Sequence, residues 1–144
     1  MTRRVEPSLV AALVGLLVSA YLTVEHFTSP ALLACPEGAT INCAKVTSST
    51  WSSVAGIPVA VLGLLYFAAM AVLVSPPAWR RARLDGIRMA GAVAGVGTAL
   101  YLVWVELFRV DAICLWCTVA HLSALALLGT VLWRTADRQP AAAA

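Results

Sequence analysis

Four long apolar runs, each bounded by short polar stretches, divide the chain at roughly residues 9–27, 57–74, 89–108 and 113–133. Each holds about 18 to 21 residues, and a helix rising 1.5 Å per residue then crosses a hydrocarbon layer of about 30 Å. The runs are continuous, without the apolar–polar alternation of barrel strands, and a backbone in lipid has to satisfy its own polar groups. The pattern predicts an all-α integral membrane protein, a four-helix bundle with a loop segment between the first two helices. Pro76 and Pro77 close the second run, Arg80 to Arg88 form a polar turn, and Arg109 to Ala112 join the last two runs. Connections this short make neighbouring helices antiparallel.

Direction follows from the basic residues, which stay on the cytoplasmic side of short connections. Arg3, Arg4, Arg80, Arg81, Arg83, Arg88, Arg134 and Arg138 fall on one side, and only Lys45 and Arg109 fall on the other. Both termini are expected in the cytoplasm, with the first and third connections outside the plasma membrane. The run that follows Arg3 and Arg4 starts like a signal peptide but continues too far and lacks a small-x-small cleavage site, so it reads as an uncleaved span. Small residues recur at every fourth position: Ala11, Gly15 and Ser19 in the first run, Gly91, Gly95 and Ala99 in the third. Such faces let helix backbones approach closely in lipid.

Composition agrees with this picture. Of the 144 residues, 61% are hydrophobic and 12% charged, about half the charge of an ordinary soluble domain. The net charge of +3 resides in tails and connections, with no basic stripe interleaved with aromatics, so nucleic-acid binding is excluded. The chain is read as one four-span domain over residues 1–144.

The candidate chemistry is sulfur chemistry. Cys114 and Cys117 form a Cys-x-x-Cys pair where the fourth helix begins. That spacing puts both sulfurs on one helix face, and a helix N-terminus favours the thiolate, the nucleophile in disulfide exchange. Cys35 and Cys43 are separated by seven residues, whereas four-cysteine zinc sites pair two closely spaced knuckles. A redox relay is the favoured reading, and a metal site and static disulfides are the alternatives. Two dithiols in series suit a soluble donor and a lipid-buried acceptor, since one pair cannot reach both. All four cysteines are expected on the exterior side, where disulfides persist.

These residues resemble the vitamin K epoxide reductase family, in particular its bacterial branch. The resemblance rests on Cys35 and Cys43, the run Cys43-Ala-Lys-Val-Thr-Ser-Ser49-Thr-Trp51, the Gly56-Ile57-Pro58 lead into the second helix, and the terminal Cys-x-x-Cys. It implies a bundle that holds a quinone (ubiquinone or menaquinone) near the outer face. A separate thioredoxin-fold, DsbA-like protein is the expected electron donor, because the chain stops at Ala144 without a fused thioredoxin-like domain. It further implies that Cys35 exchanges with that partner, Cys43 passes the disulfide to Cys114, and Cys117 reduces the quinone, with Ser49 capping the site. Without the resemblance, Ser49 reads as part of a solvated turn. Vertebrate members carry an asparagine near the start of helix two, where this chain has Ile57-Pro58-Val59, and a tyrosine where it has His121. A quinone is therefore the expected substrate rather than an epoxide, whose reduction stands as the alternative activity, alongside a non-enzymatic scaffold.

His121 lies one turn past Cys117 on the same helix face, where an imidazole either bonds or protonates a quinone oxygen or serves only in helix packing. Glu25, His26 and Glu106 lie near the outer ends of spans and read as side chains reaching for the interface. Trp51, Trp79, Trp104 and Trp133 read as interfacial aromatics, and Trp116 as a shield for the cysteine pair.

Overall fold

Helix α1 runs from Pro7 to Thr28, opened by a proline whose missing N–H has no helical partner at that position anyway. The computed structural model describes residues 6–29 and 34–143, with side chains through residue 138; Arg3 and Arg4 lie outside the described residues. A short helix α2, Cys43–Thr47, follows, capped by the Asn42 side chain, which accepts the Lys45 N–H at 2.9 Å. Strands β1 (Ser53–Val54) and β2 (Ile57–Pro58) then pair antiparallel. Ala55 (φ 51°) and Gly56 (φ 82°) make the turn between them, the left-handed pair that a two-residue hairpin needs.

Helix α3 spans Val59–Leu73, and the four-residue helix α4 spans Pro76–Trp79. Helix α5, Asp85–Val105, loosens into a π-helical turn, Glu106–Val110, that ends at Asp111 (φ 54°). Helix α6 covers Leu115–Ala143. Pro7–Thr28, Ala82–Val110 and Leu115–Arg138 are long and apolar enough to cross a membrane, and α3 is apolar but shorter. Large apolar side chains cover the surface: Leu17, Phe27, Val72, Phe108 and Trp133 are each about 70% exposed, an arrangement stable against lipid rather than water.

α1 packs against α3 and α6, and α5 against α6 and, less extensively, α3. The small-residue stripes produce the expected close approach. A methyl group at Gly15 would overlap the Phe67 ring, one at Gly91 would press on the Met70 sulfur, and one at Gly95 would overlap the Tyr66 hydroxyl.

Several expectations need correction. The second apolar run is helical only from Val59, because the hairpin takes up Ile57 and Pro58. Arg88 is not in a polar turn. It lies in α5, wholly buried, donating to the carbonyls of Leu73 (2.7 Å) and Ala78 (2.6 Å) and pairing with Asp85. Trp79, expected at an interface, is buried beneath Arg88, Arg134 and Arg138, at 4.2, 4.5 and 5.0 Å from its ring centre. Arg134 also pairs with Glu6, and Arg138 reaches Asp85 at 3.6 Å. Cation–π and ionic contacts thus tie α1, α4, α5 and α6 together at the end of the molecule away from the cysteines.

Candidate functional site

At the other end, the loop after α1 is fastened to the start of α6 by backbone hydrogen bonds. The Asn42 N–H donates to the Ile113 carbonyl at 3.0 Å, and the Ile113 N–H donates to the Thr40 carbonyl at 2.8 Å. Ile41 and Ile113 form the parallel bridge between them. The next residues along the two chains are Cys43 and Cys114, both wholly buried. A second fastening lies beside Cys35: the Trp116 indole N–H donates to the Ala34 carbonyl at 3.2 Å, and the Ala34 N–H donates to the Tyr21 hydroxyl at 3.1 Å. The Tyr21 and Trp116 rings meet at 4.9 Å.

Cys35 and Cys43 are joined in a disulfide, while Cys114 and Cys117 are free thiols. Cys114 caps α6, its sulfur accepting the Cys117 N–H at 3.4 Å and its carbonyl accepting from Thr118. The hydrogen bond from the Cys117 side chain draws the Cys114 thiol below its ordinary pKa, helped by the N–H groups of Cys117 and Trp116 and opposed by burial and Glu106. Cys35 is half-buried, Cys43 and Cys114 are sealed, and Cys117 is half-buried and opens onto a cavity.

That cavity encloses about 400 Å³ between α1, α3, α5 and α6, roofed by the hairpin and the turn before it. Its volume falls in the ordinary range for small-molecule sites. Ser49 and His121 both line it with Cys117, and so do Tyr66 and Glu106. Ser49 is half-buried and donates to the Val46 carbonyl at 2.8 Å, so it belongs to a turn and to the cavity wall at once. Tyr66 donates to the Gly91 carbonyl at 3.1 Å. Arg109 lies over Trp51 and Trp104, at 5.4 and 5.3 Å from their ring centres, fastening the roof to the end of α5. No group of residues suited to a metal ion occurs among the described residues.

The model of the vitamin K epoxide reductase family matches residues 7–132. The chain belongs to that family. The match takes in both cysteine pairs, Ser49, Glu106 and His121, and stops short of Arg134 and Arg138. No curated protein matches the chain. Membership in the vitamin K epoxide reductase family, with the apolar helices and the cysteine geometry, makes the chain a membrane oxidoreductase.

The expectation of interfacial side chains fails for two acids. Glu25 and Glu106 do not reach for an interface; both are buried, at 6% and 5% exposure. Glu106 is the site residue that sequence reasoning undervalued, and the available signal was an acid inside an apolar run eight positions before Cys114.

Proposed function

We propose that this protein oxidises the dithiol of a separate thioredoxin-fold, DsbA-like protein and passes the electrons through its two cysteine pairs to a membrane quinone. The observation that carries this reading is the backbone hydrogen bond from Asn42 to Ile113, with Cys43 and Cys114 the next residues along and Cys117 opening onto an apolar cavity. Cys35, half-buried on the outer loop, receives the partner. Cys43 attacks Cys114 of an inner disulfide, Cys35 closes the outer disulfide, and two inner thiols remain. A Cys35–Cys43 disulfide beside free Cys114 and Cys117 is the product of that exchange. The low-lying Cys114 thiol is a good leaving group for it.

The cavity suits a quinone ring: it is mainly apolar, the His121 imidazole can donate to a ring oxygen beside Cys117, and Ser49 can do so by turning its hydroxyl from the Val46 carbonyl. A quinone supplies an acceptor for two electrons and two protons. Cys117 faces that acceptor, and the hairpin with Trp51 forms the roof of the cavity.

We read four spans in the plasma membrane, with α3 as the fourth. Its 15 residues rise about 22 Å, and the hairpin and α4 complete its crossing. The basic cluster of Arg88, Arg134 and Arg138 then lies at the cytoplasmic end and the cysteines at the exterior end.

The test uses purified protein with a quinone analogue, followed by absorbance. Cys35→Ala should abolish oxidation of a DsbA-like protein while a small dithiol still reduces the Cys114–Cys117 disulfide and bleaches the quinone. Unchanged oxidation of the protein partner by Cys35→Ala would refute the assigned order.

A further inference from the structure

Closing the Cys114–Cys117 disulfide releases two electrons and two protons, and the protons start from thiols that are buried or set in the wall of the cavity. Glu106 is the acid placed to take one. It is 5% exposed, lines the cavity together with Cys117, and interacts electrostatically with both inner thiols and with the Cys114 N–H. The π-helical turn that begins at Glu106 sets it there, and its backbone carbonyl accepts the Ala112 N–H at 3.1 Å, tying it to the connection that leads into Cys114.

None of the ion pairs among the described residues involves Glu106. The nearest cation in sequence, Arg109, faces the Trp51 and Trp104 rings. The titratable groups around the cavity are His26 from α1, Tyr66 from α3, Tyr101 from α5, and Cys117 and His121 from α6. Cys114 stands on the connection, and α2, packed on the π-helical turn, carries the exposed Lys45. A buried carboxyl without a counter-ion is costly in an apolar span and marks a functional group.

We propose that Glu106 is the proton carrier between the inner thiols and the acceptor in the cavity, an inference that rests on the quinone reading above. The Glu106 carboxylate takes one proton as the Cys114 and Cys117 sulfurs bond, and the resulting acid delivers it to the ring oxygen being reduced. The second proton reaches the other oxygen through water at the cavity mouth. Two electrons and two protons leave the thiols, and the same number arrive.

The test uses full-length protein in detergent as wild type, Glu106→Gln and Glu106→Asp, with dithiothreitol as donor and a short-chain quinone analogue as acceptor. Glu106→Gln keeps an acceptor for the Cys114 N–H but cannot carry a proton. It should slow quinone reduction about 100-fold and flatten the pH profile, whereas Glu106→Asp keeps a pH-dependent rate. The second readout is the infrared difference between oxidised and reduced protein without quinone, where a carboxyl band should appear in wild type and vanish in Glu106→Gln. A wild-type rate and pH profile in Glu106→Gln, or no carboxyl band in wild type, overturns the inference. A wild type that shows the carboxyl band yet never reduces quinone sinks the quinone reading and leaves the proton coupling of Glu106 to the thiols standing.

Discussion

Replacing Asn42 separates two contributions to the docking of Cys43 over Cys114. Asn42→Ala removes only the side-chain cap of α2, about 1 kcal/mol, which at 1.36 kcal/mol per tenfold lowers the docked population roughly fivefold. Asn42→Pro also removes the N–H bonded to the Ile113 carbonyl and forces φ from −152° toward about −65°. Leaving that carbonyl unpaired adds about 1–3 kcal/mol, so the total of about 2–4 kcal/mol slows exchange roughly 30- to 900-fold. Both Asn42 and Ile113 are half-buried, and water can partly satisfy the carbonyl, which favours the lower part of that range. The assay starts from fully reduced protein in detergent, oxidises the inner pair with one equivalent of a quinone analogue, and quenches in acid. Mass-tagged thiols then report how fast the disulfide moves to Cys35–Cys43. A wild-type transfer rate in Asn42→Pro would refute the claim that the 40–42 bridge to Ile113 positions the exchange.

Three further outcomes follow from the same structure. Gly95→Val places a side chain against the Tyr66 hydroxyl and should cost about 1–3 kcal/mol, read as a lowered unfolding temperature in detergent, while Gly97→Ala, in open space, should not. Arg88→Ala removes the buried cation over Trp79 and leaves Asp85 and two carbonyls without it; a loss of about 3 kcal/mol is expected, since Asp85 retains some water, and chemical unfolding would measure it. The depressed Cys114 thiol implies more thiolate at neutral pH than an ordinary cysteine holds; Cys117→Ala removes the largest cause, so the thiolate absorbance of Cys114 should titrate at higher pH in that variant.

The long elements were legible because lipid imposes a simple pattern. The run at 9–27 lies within α1, and most of the runs at 89–108 and 113–133 lie within α5 and α6. The Cys-x-x-Cys pair at a helix start was legible for the same local reason, since spacing and position fix its capping geometry. What escaped depends on contacts far apart in sequence. Arg134 meets Glu6 across 128 positions, and only that convergence turns tail arginines and Trp79 into one buried cluster. Nothing local distinguishes Ile57 and Pro58 as strand rather than helix except Gly56, whose positive φ makes the turn possible. Glu106 looked like other acids at span ends, and the π-helical turn that carries it inward leaves no mark in hydropathy.

The order of burial along the four sulfurs has a consequence for fidelity. An exchange intermediate joining Cys43 to Cys114 is open to attack by any small thiol that reaches it, because exchange needs only access and a thiolate. With both sulfurs wholly buried, the competing nucleophile closest to hand is Cys35, already held to Cys43 by the loop. Cys35 has to meet a large partner and is accordingly half-buried, while Cys117 has to meet an apolar acceptor and opens inward. One dithiol could satisfy either demand but not both, since the access that admits a protein would also admit water to the cavity. The backbone hydrogen bond between Asn42 and Ile113 lets the two environments stay separate while the disulfide passes between them.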